Sequence, residues 1–144
     1  MIGDSNEYGT PSKTEVQDFE ETNNIKLPMD YKDFLFRVNG GRPIPNRNAS
    51  PSTVVVYLLG MHNGPYHKSL YKHIEMLNKR LPFGTFPVGR DPFGNLFIMT
   101  VNPETYGYIY FWDHEGEPEY QDGNYVDNCY FVAYSFSDFV NNLK

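Results

Sequence analysis

The 144-residue chain contains one cysteine, one tryptophan, no long apolar run, and no basic side chain between Arg90 and Lys144. Each scarcity excludes something. Cys129 alone cannot close an intrachain disulfide, which agrees with a reducing, cytoplasmic setting. A reactive thiolate needs positive charge nearby, and its neighbours Tyr130, Phe131 and Tyr134 supply none, so Cys129 reads as a buried structural residue. No apolar stretch approaches bilayer length, so no membrane partner is expected. The opening stretch MIGDSNEYGTPSK lacks a basic segment followed by an apolar one. It reads as a flexible polar lead-in over residues 1–13 rather than a secretory signal. No repeat or linker divides the remainder, and residues 14–144 are expected to form a single domain.

Cations are also unevenly spread. Up to Arg90, 11 Lys and Arg stand against 9 Asp and Glu, a balance of +2; from Asp91 onward, 9 Asp and Glu face only Lys144, a balance of −8. Phosphate binding is electrostatic, so the C-terminal part should repel nucleic acid and could attract a basic protein. The plainer alternative is a solvated face that keeps the protein soluble. Metal-ligand patterns are thin. His62 and His67 share one loop and His73 follows, but their spacing is irregular and no cysteine joins them. Surface histidines, with no metal and no other cofactor, are the expectation.

Aromatic residues, by contrast, make up 17% of the chain, which implies a core built from rings. The stretch Leu27 to Pro43, LPMDYKDFLFRVNGGRP, specifies a whole helix. Pro28 suits its first position. Tyr31, Phe34, Leu35 and Val38 form one apolar stripe, and Asn39-Gly40-Gly41 stops it through left-handed backbone. Those glycines follow a helix and lack a trailing Lys and Ser or Thr, so they are no phosphate loop. Upstream, Thr14 to Gln17 fits a capping box, with Val16 and Phe19 giving that helix an apolar side and Asn23-Asn24 ending it. Thr53 to Leu59 reads as one buried strand, Gly60 to Lys68 as a loop, and Ser69 as the cap of a third helix ended by Leu81-Pro82. Strands are then expected at 86–88, 96–101, 108–112 and 129–134, with turns at 90–95 and 102–107. The segment from Asp113 to Asn128 is an acidic loop, and Ser135 opens a last helix carrying Phe136, Phe139, Val140 and Leu143. The order suits an α+β domain, an antiparallel sheet of about five or six strands with helices packed on it.

Four segments, LPMDYKDFLFRVNGGRP (27–43), FPVGRDPFGNLFIM (86–99), GYIYFWDHE (107–115) and VAYSFSDFVNNL (132–143), together resemble the SUKH superfamily. That group includes fungal regulators of cell-wall glucan synthesis and bacterial immunity proteins of toxin systems. The likeness runs from about Thr14 to Leu143. The structural motif falls on Pro28, Tyr31, Phe34, Leu35, Asn39, Gly40, Gly41, Gly94, Asn95 and Trp112. The turn Asp91-Pro92-Phe93-Gly94 is less glycine-rich than the pattern, and Ile44 to Pro82 matches least, where such proteins would vary to recognise different partners.

The resemblance implies a non-catalytic protein-binding domain, an immunity protein that neutralises a cognate secreted toxin, with a basic nuclease among the candidate toxins. A regulatory scaffold related to glucan synthesis is the alternative, and an enzyme using Asp113 and Glu115 a further one. On a strand those two carboxylates would share a face beside His114, but nothing else completes a catalytic set, and a polar strand end meeting water accounts for them. The rings Tyr108, Tyr110, Trp112 and Tyr130 could stack on sugar but are expected in the core. Partner-binding residues are expected in the acidic loop: Asp113, Glu115, Glu117, Glu119, Tyr120, Asp122, Tyr125 and Asp127, with carboxylates steering and tyrosine anchoring. Oligomeric state and the partner's identity are left open at this level.

Overall fold

The protein is described by a computed structural model covering residues 1–144. It is an α+β domain. In chain order, β1 (Ile2–Gly3) is followed by helices α1 (Lys13–Asn23) and α2 (Met29–Arg37). Four short strands come next, β2 (Arg42–Pro43), β3 (Arg47–Asn48), β4 (Thr53–Val54) and β5 (Tyr57–Leu58), and then α3 (Leu70–Met76). The chain continues through β6 (Thr85–Arg90), β7 (Leu96–Thr100), β8 (Ile109–Trp112) and β9 (Cys129–Ala133) to α4 (Phe136–Asn141). Strands β5 to β9 form one antiparallel sheet in sequence order, while β1 pairs β2 and β3 pairs β4. No helix is long and apolar enough to cross a membrane.

Side-chain alternation explains why the central strand is buried throughout and apolar from Leu96 to Met99. Along β7, Phe97 and Met99 join the large cluster with the helices, while Leu96 and Ile98 join a smaller one with Leu77 and Trp112. Along β8, Ile109 and Phe111 go to the first, and Trp112, with the half-buried Tyr110 beside it, to the second. Successive side chains leave opposite faces of a strand, so both faces of the sheet are covered at its centre. The large cluster is a run of touching rings. Tyr31 meets Phe34, Phe86 and Phe136, and Phe97 meets Phe111 and Phe139, with ring centroids 4.8–6.0 Å apart. Each such side chain, fully buried, contributes about 1.5–3 kcal/mol over leaving it exposed.

The helix-stop motif connects layers. Asn39 adopts left-handed backbone (φ 50°), and its buried side chain accepts from Met61 N at 2.8 Å while donating to the carbonyls of Met61 and Gly9. Gly41 exchanges backbone hydrogen bonds with Leu58, which sets the helix end onto β5. Its φ of 140° and the closeness of the Gly3 carbonyl and the Ile2 side chain leave no room for a Cβ.

Several local expectations shift for physical reasons. Helix α1 is capped by Ser12, whose hydroxyl accepts from Glu15 N, two residues before the expected Thr14 box, because buried Pro11 sets the entry. Pro28 flanks α2 as its cap, and Val38 lies just past the helix as its C-terminal cap, its N–H still donating to Phe34 O. The expected strand Thr53 to Leu59 is two short ones, since Thr53–Val54 pairs with β3 and Tyr57–Leu58 with β6. Helix α3 ends at Met76, before the proline. The segment 1–13, expected to be a flexible lead-in, lies against the domain: β1 pairs β2, Asp4 pairs with Arg42, and Glu7 with Lys68. Histidines expected at the surface are partly inside. His62 and His73 are buried, His73 donating from Nδ1 to Ser69 O at 2.9 Å, and burial lowers both pKa values. His67 is exposed.

Two buried polar side chains should behave oppositely. Asn39→Ala strands the Met61 amide and carbonyl, and is expected to cost about 2–4 kcal/mol in urea unfolding. Tyr31 has a buried hydroxyl with no partner, so Tyr31→Phe is expected to be neutral or to stabilise by up to about 1 kcal/mol; a large loss there would contradict it. A second expectation concerns pH. Because the folded-state pKa values of His62 and His73 lie below 6.5, the unfolded chain binds more protons in mild acid. Their contribution is intact above about pH 6.5 and is lost as pH falls toward the folded values. Melting temperature should drop with acidification over this range, and His73→Asn, which keeps a donor for Ser69 but cannot titrate, should flatten the slope.

Candidate functional site

Residues 113–128 form a loop closed at its base. Asp113 N donates to Asn128 O at 2.9 Å, and Asn128 Nδ2 returns to Asp113 O at 2.9 Å. The chain does not continue as strand beyond Trp112. Asp113 caps a short 3₁₀ turn, His114–Gly116, its Oδ1 accepting from Glu115 N at 3.0 Å. Asp113 and Glu115 therefore do not form the strand-face carboxylate pair that the sequence pattern suggested.

The turn between β6 and β7 holds this base in place. Buried Asp91 accepts from Phe93 N, Asn95 N and Asn95 Nδ2 at 2.9–3.0 Å, and from the Thr53 hydroxyl at 3.0 Å. Asn95 Oδ1 then accepts from His114 N at 3.1 Å, and His114 Nε2 donates to Phe93 O at 2.8 Å. Gly94, at φ 87°, lies where a Cβ would crowd the His114 ring. Thus the Gly94-Asn95 motif and the Asp113-His114 motif, separate in sequence, form one hydrogen-bonded unit.

Higher in the loop, Arg80 grips Glu117 with two charge-assisted hydrogen bonds, Nε to Oε1 at 2.9 Å and Nη2 to Oε2 at 2.8 Å, while its guanidinium lies 5.7 Å from the Trp112 ring. Bidentate pairing of this kind fixes orientation as well as charge. At the tip, Gln121 Oε1 accepts from Gly123 N and Tyr125 N, its Nε2 donates to Tyr125 O, and Asp122 accepts from Asn124 N. Phe83 N donates to Gly123 O, which ties the tip to the strand-entry loop.

The expected partner-binding residues therefore divide. Asp113 and Glu117 are committed to holding the loop, and Tyr125 is half-buried with its backbone in the Gln121 bonds. Glu115, Glu119, Asp122 and Asp127 are exposed and in no ion pair, and Tyr120 is 83% exposed. Among the strand rings, Trp112 is buried as expected, but Tyr130 is exposed, because β9 is the edge strand of the sheet.

One feature of this end of the molecule carried little sequence signal. A cleft of ≈ 650 Å³ opens on the sheet face carrying the smaller cluster, with Ile98, Thr100, Tyr110 and Cys129 in it and Phe83 and Val126 at its sides. Neither Asp113 nor Glu115 lines it. Burial pushes the Cys129 thiol up to about 11, so it is uncharged at neutral pH and unsuited to nucleophilic attack. Phe83 and Arg80 lie in the segment where no motif spacing singles out a residue, and only tertiary packing brings them to the loop.

A model of the SMI1 / KNR4 family (SUKH-1) matches residues 10–142. The chain is also 25% identical over 149 aligned residues to the SPbeta prophage-derived uncharacterized protein YokK of Bacillus subtilis (strain 168), an alignment covering 90% of this chain and 72% of that protein.

If Arg80 is the clamp of the loop, Arg80→Ala should loosen residues 117–126 far more than it unfolds the domain. Partly exposed ion pairs contribute modestly, so global stability is expected to fall by only about 1 kcal/mol, while hydrogen exchange at the Gly123 and Tyr125 amides rises markedly. Equal protection in both proteins would show that Gln121 and Asn128 hold the loop without it.

Proposed function

The chain belongs to the SMI1 / KNR4 family (SUKH-1), and on that premise we propose that it is a non-catalytic protein-binding domain acting as an immunity protein. It binds a cognate secreted toxin of basic character, the character that a nuclease has, and neutralises it inside the cell. The observation that carries this proposal is the acidic loop: Glu115, Glu119, Asp122 and Asp127 are exposed and in no ion pair along the segment that also carries exposed Tyr120, on a backbone held by the Asp113–Asn128 closure and the Arg80–Glu117 clamp. Charges held on a rigid frame steer an oppositely charged partner with little entropy to lose on docking. The prophage origin of the similar Bacillus subtilis protein fits a role in conflict between cells or mobile elements. The contribution of Glu117 is to shape the loop rather than to meet the partner.

Association with the cognate toxin domain, sought first as the product of the neighbouring gene, is expected to be tight, of 1:1 stoichiometry and salt-sensitive. Reversing Glu119, Asp122 and Asp127 to Lys should slow association by about tenfold or more at low salt and flatten its salt dependence, with stability nearly unchanged. Stopped-flow or surface-based kinetics would measure this. A neighbouring toxin domain that does not bind, or binds the reversed variant at the same rate, would overturn the proposal.

A further inference from the structure

We propose that the cleft beside the acidic loop is the anchoring pocket of the interface, and that its occupant is a basic protein segment presenting an aromatic or aliphatic side chain flanked by Lys or Arg. This rests on the protein-binding role proposed above and moves its energetic centre from the loop tip to the sheet face.

The cleft joins a partly apolar floor to polar walls that include Thr85, Asn102, Thr105 and Asn124. Its floor combines Ile98, Thr100, Tyr110 and Cys129, and its volume of ≈ 650 Å³ takes one or two large side chains. Register explains the floor. Ile98 stands opposite Tyr110, and Tyr110 opposite Phe131, so these three lie in a row across β7, β8 and β9 on one face. The row continues into open rings. Phe131 packs against Tyr110 at 5.9 Å, against Tyr108 at 5.9 Å and against Tyr134 at 4.7 Å, yet Phe131 and Tyr134 remain 43% and 65% exposed. No other element of the chain covers them: β9 is the last strand, and α4 packs with the opposite cluster through Phe136 and Phe139. Exposed aromatic rings that are already ordered by their neighbours are typical binding anchors, since little side-chain freedom is lost.

Charge selects the occupant. Glu104 lines the cleft, Asp122 adjoins its lining residue Gly123, and Asp127 adjoins its lining residue Val126, while no Lys, Arg or His lines it at all. A second copy of this chain, of net charge −6, would bring the same acidic rim against itself. A neutral apolar segment would leave the rim carboxylates facing apolar surface and partly desolvated. Cationic groups on either side of an apolar anchor satisfy both features together.

The test uses the full-length protein, ¹⁵N-labelled, titrated with a short blocked peptide alternating arginine and phenylalanine, and separately with its glutamate counterpart. The basic peptide is expected to shift the amides of Ile98, Thr100, Tyr110 and Cys129 saturably, the acidic one to leave them unmoved. Val126→Arg fills the exposed side of the cleft with a cation and should weaken the basic peptide by about tenfold or more, as should Phe131→Ala with Tyr134→Ala to a smaller degree, since these are exposed positions. Shifts confined to residues 115–127, or an unchanged affinity in Val126→Arg, would overturn the anchoring pocket and leave the acidic loop as a purely electrostatic surface. Floor shifts that persist while charge reversal of the loop has no effect on the toxin domain would sustain the pocket and remove the immunity role. Absence of any shift at millimolar peptide would also overturn the pocket.

Discussion

A buried carboxylate organises this fold. Asp91 sits at the turn between β6 and β7, and its two oxygens take four donors: two backbone amides of its own turn, the Asn95 side chain and the Thr53 hydroxyl. Burying an ionised carboxylate is tolerable only when it is so satisfied. The consequences spread outward. The turn fixes the pairing of β6 with β7, Thr53 brings the short β4 strand alongside, and Asn95, oriented by Asp91, receives the backbone of His114. The base of the acidic loop thus inherits its position from a residue outside the loop.

The second constraint is the two-faced sheet. With apolar side chains on both faces of its centre, the sheet needs cover on both sides. The helices cover one face with a nearly continuous layer of rings. The other is covered only in part, by Leu77 and Leu81 from the segment that follows α3 and by the loop drawn over Trp112 through Arg80 and Glu117. Where that cover ends, a cleft and a row of half-exposed aromatics remain. An incompletely covered face whose cleft is lined by Glu104 and by no Lys, Arg or His is the feature on which the proposed binding role rests.

Sequence legibility followed the range of the interactions involved. Helix α2 and its stop could be read residue by residue, because caps, stripes and left-handed glycines are local matters, as could the turn at 90–95 and the cap at Ser135. The four motif segments identified the family for the same reason. The misreadings have a common cause. Thr53 to Leu59 has the composition of one strand, but its halves pair with different partners, and pairing is decided elsewhere in the chain. Residues 1–13 look like a polar tail, yet Ile2 and Gly3 meet β2, and Asp4 and Glu7 meet Arg42 and Lys68. His62 carries no mark of burial in its neighbours, whereas His73 stands at i+3 in the stripe of Leu70, Ile74 and Leu77 and is turned inward with it. Tyr130 has the composition of a core residue and lies at a sheet edge.

By itself, then, the sequence determined the α+β class, the helix boundaries to within a residue or two except at the end of α3, the strand order of the meander, the concentration of negative charge after Asp91 and the family. All of these depend on neighbours within a few positions or on composition. Only the tertiary structure decided which acidic residues are free. Glu117 and Glu119 are equivalent in the sequence pattern, and one is clamped by an arginine 37 positions away while the other faces water. It likewise decided that Phe83, Ile98, Tyr110 and Val126 share one cleft. That juxtaposition follows from strand register and loop closure, which are set by long-range hydrogen bonds that local residue spacing does not encode.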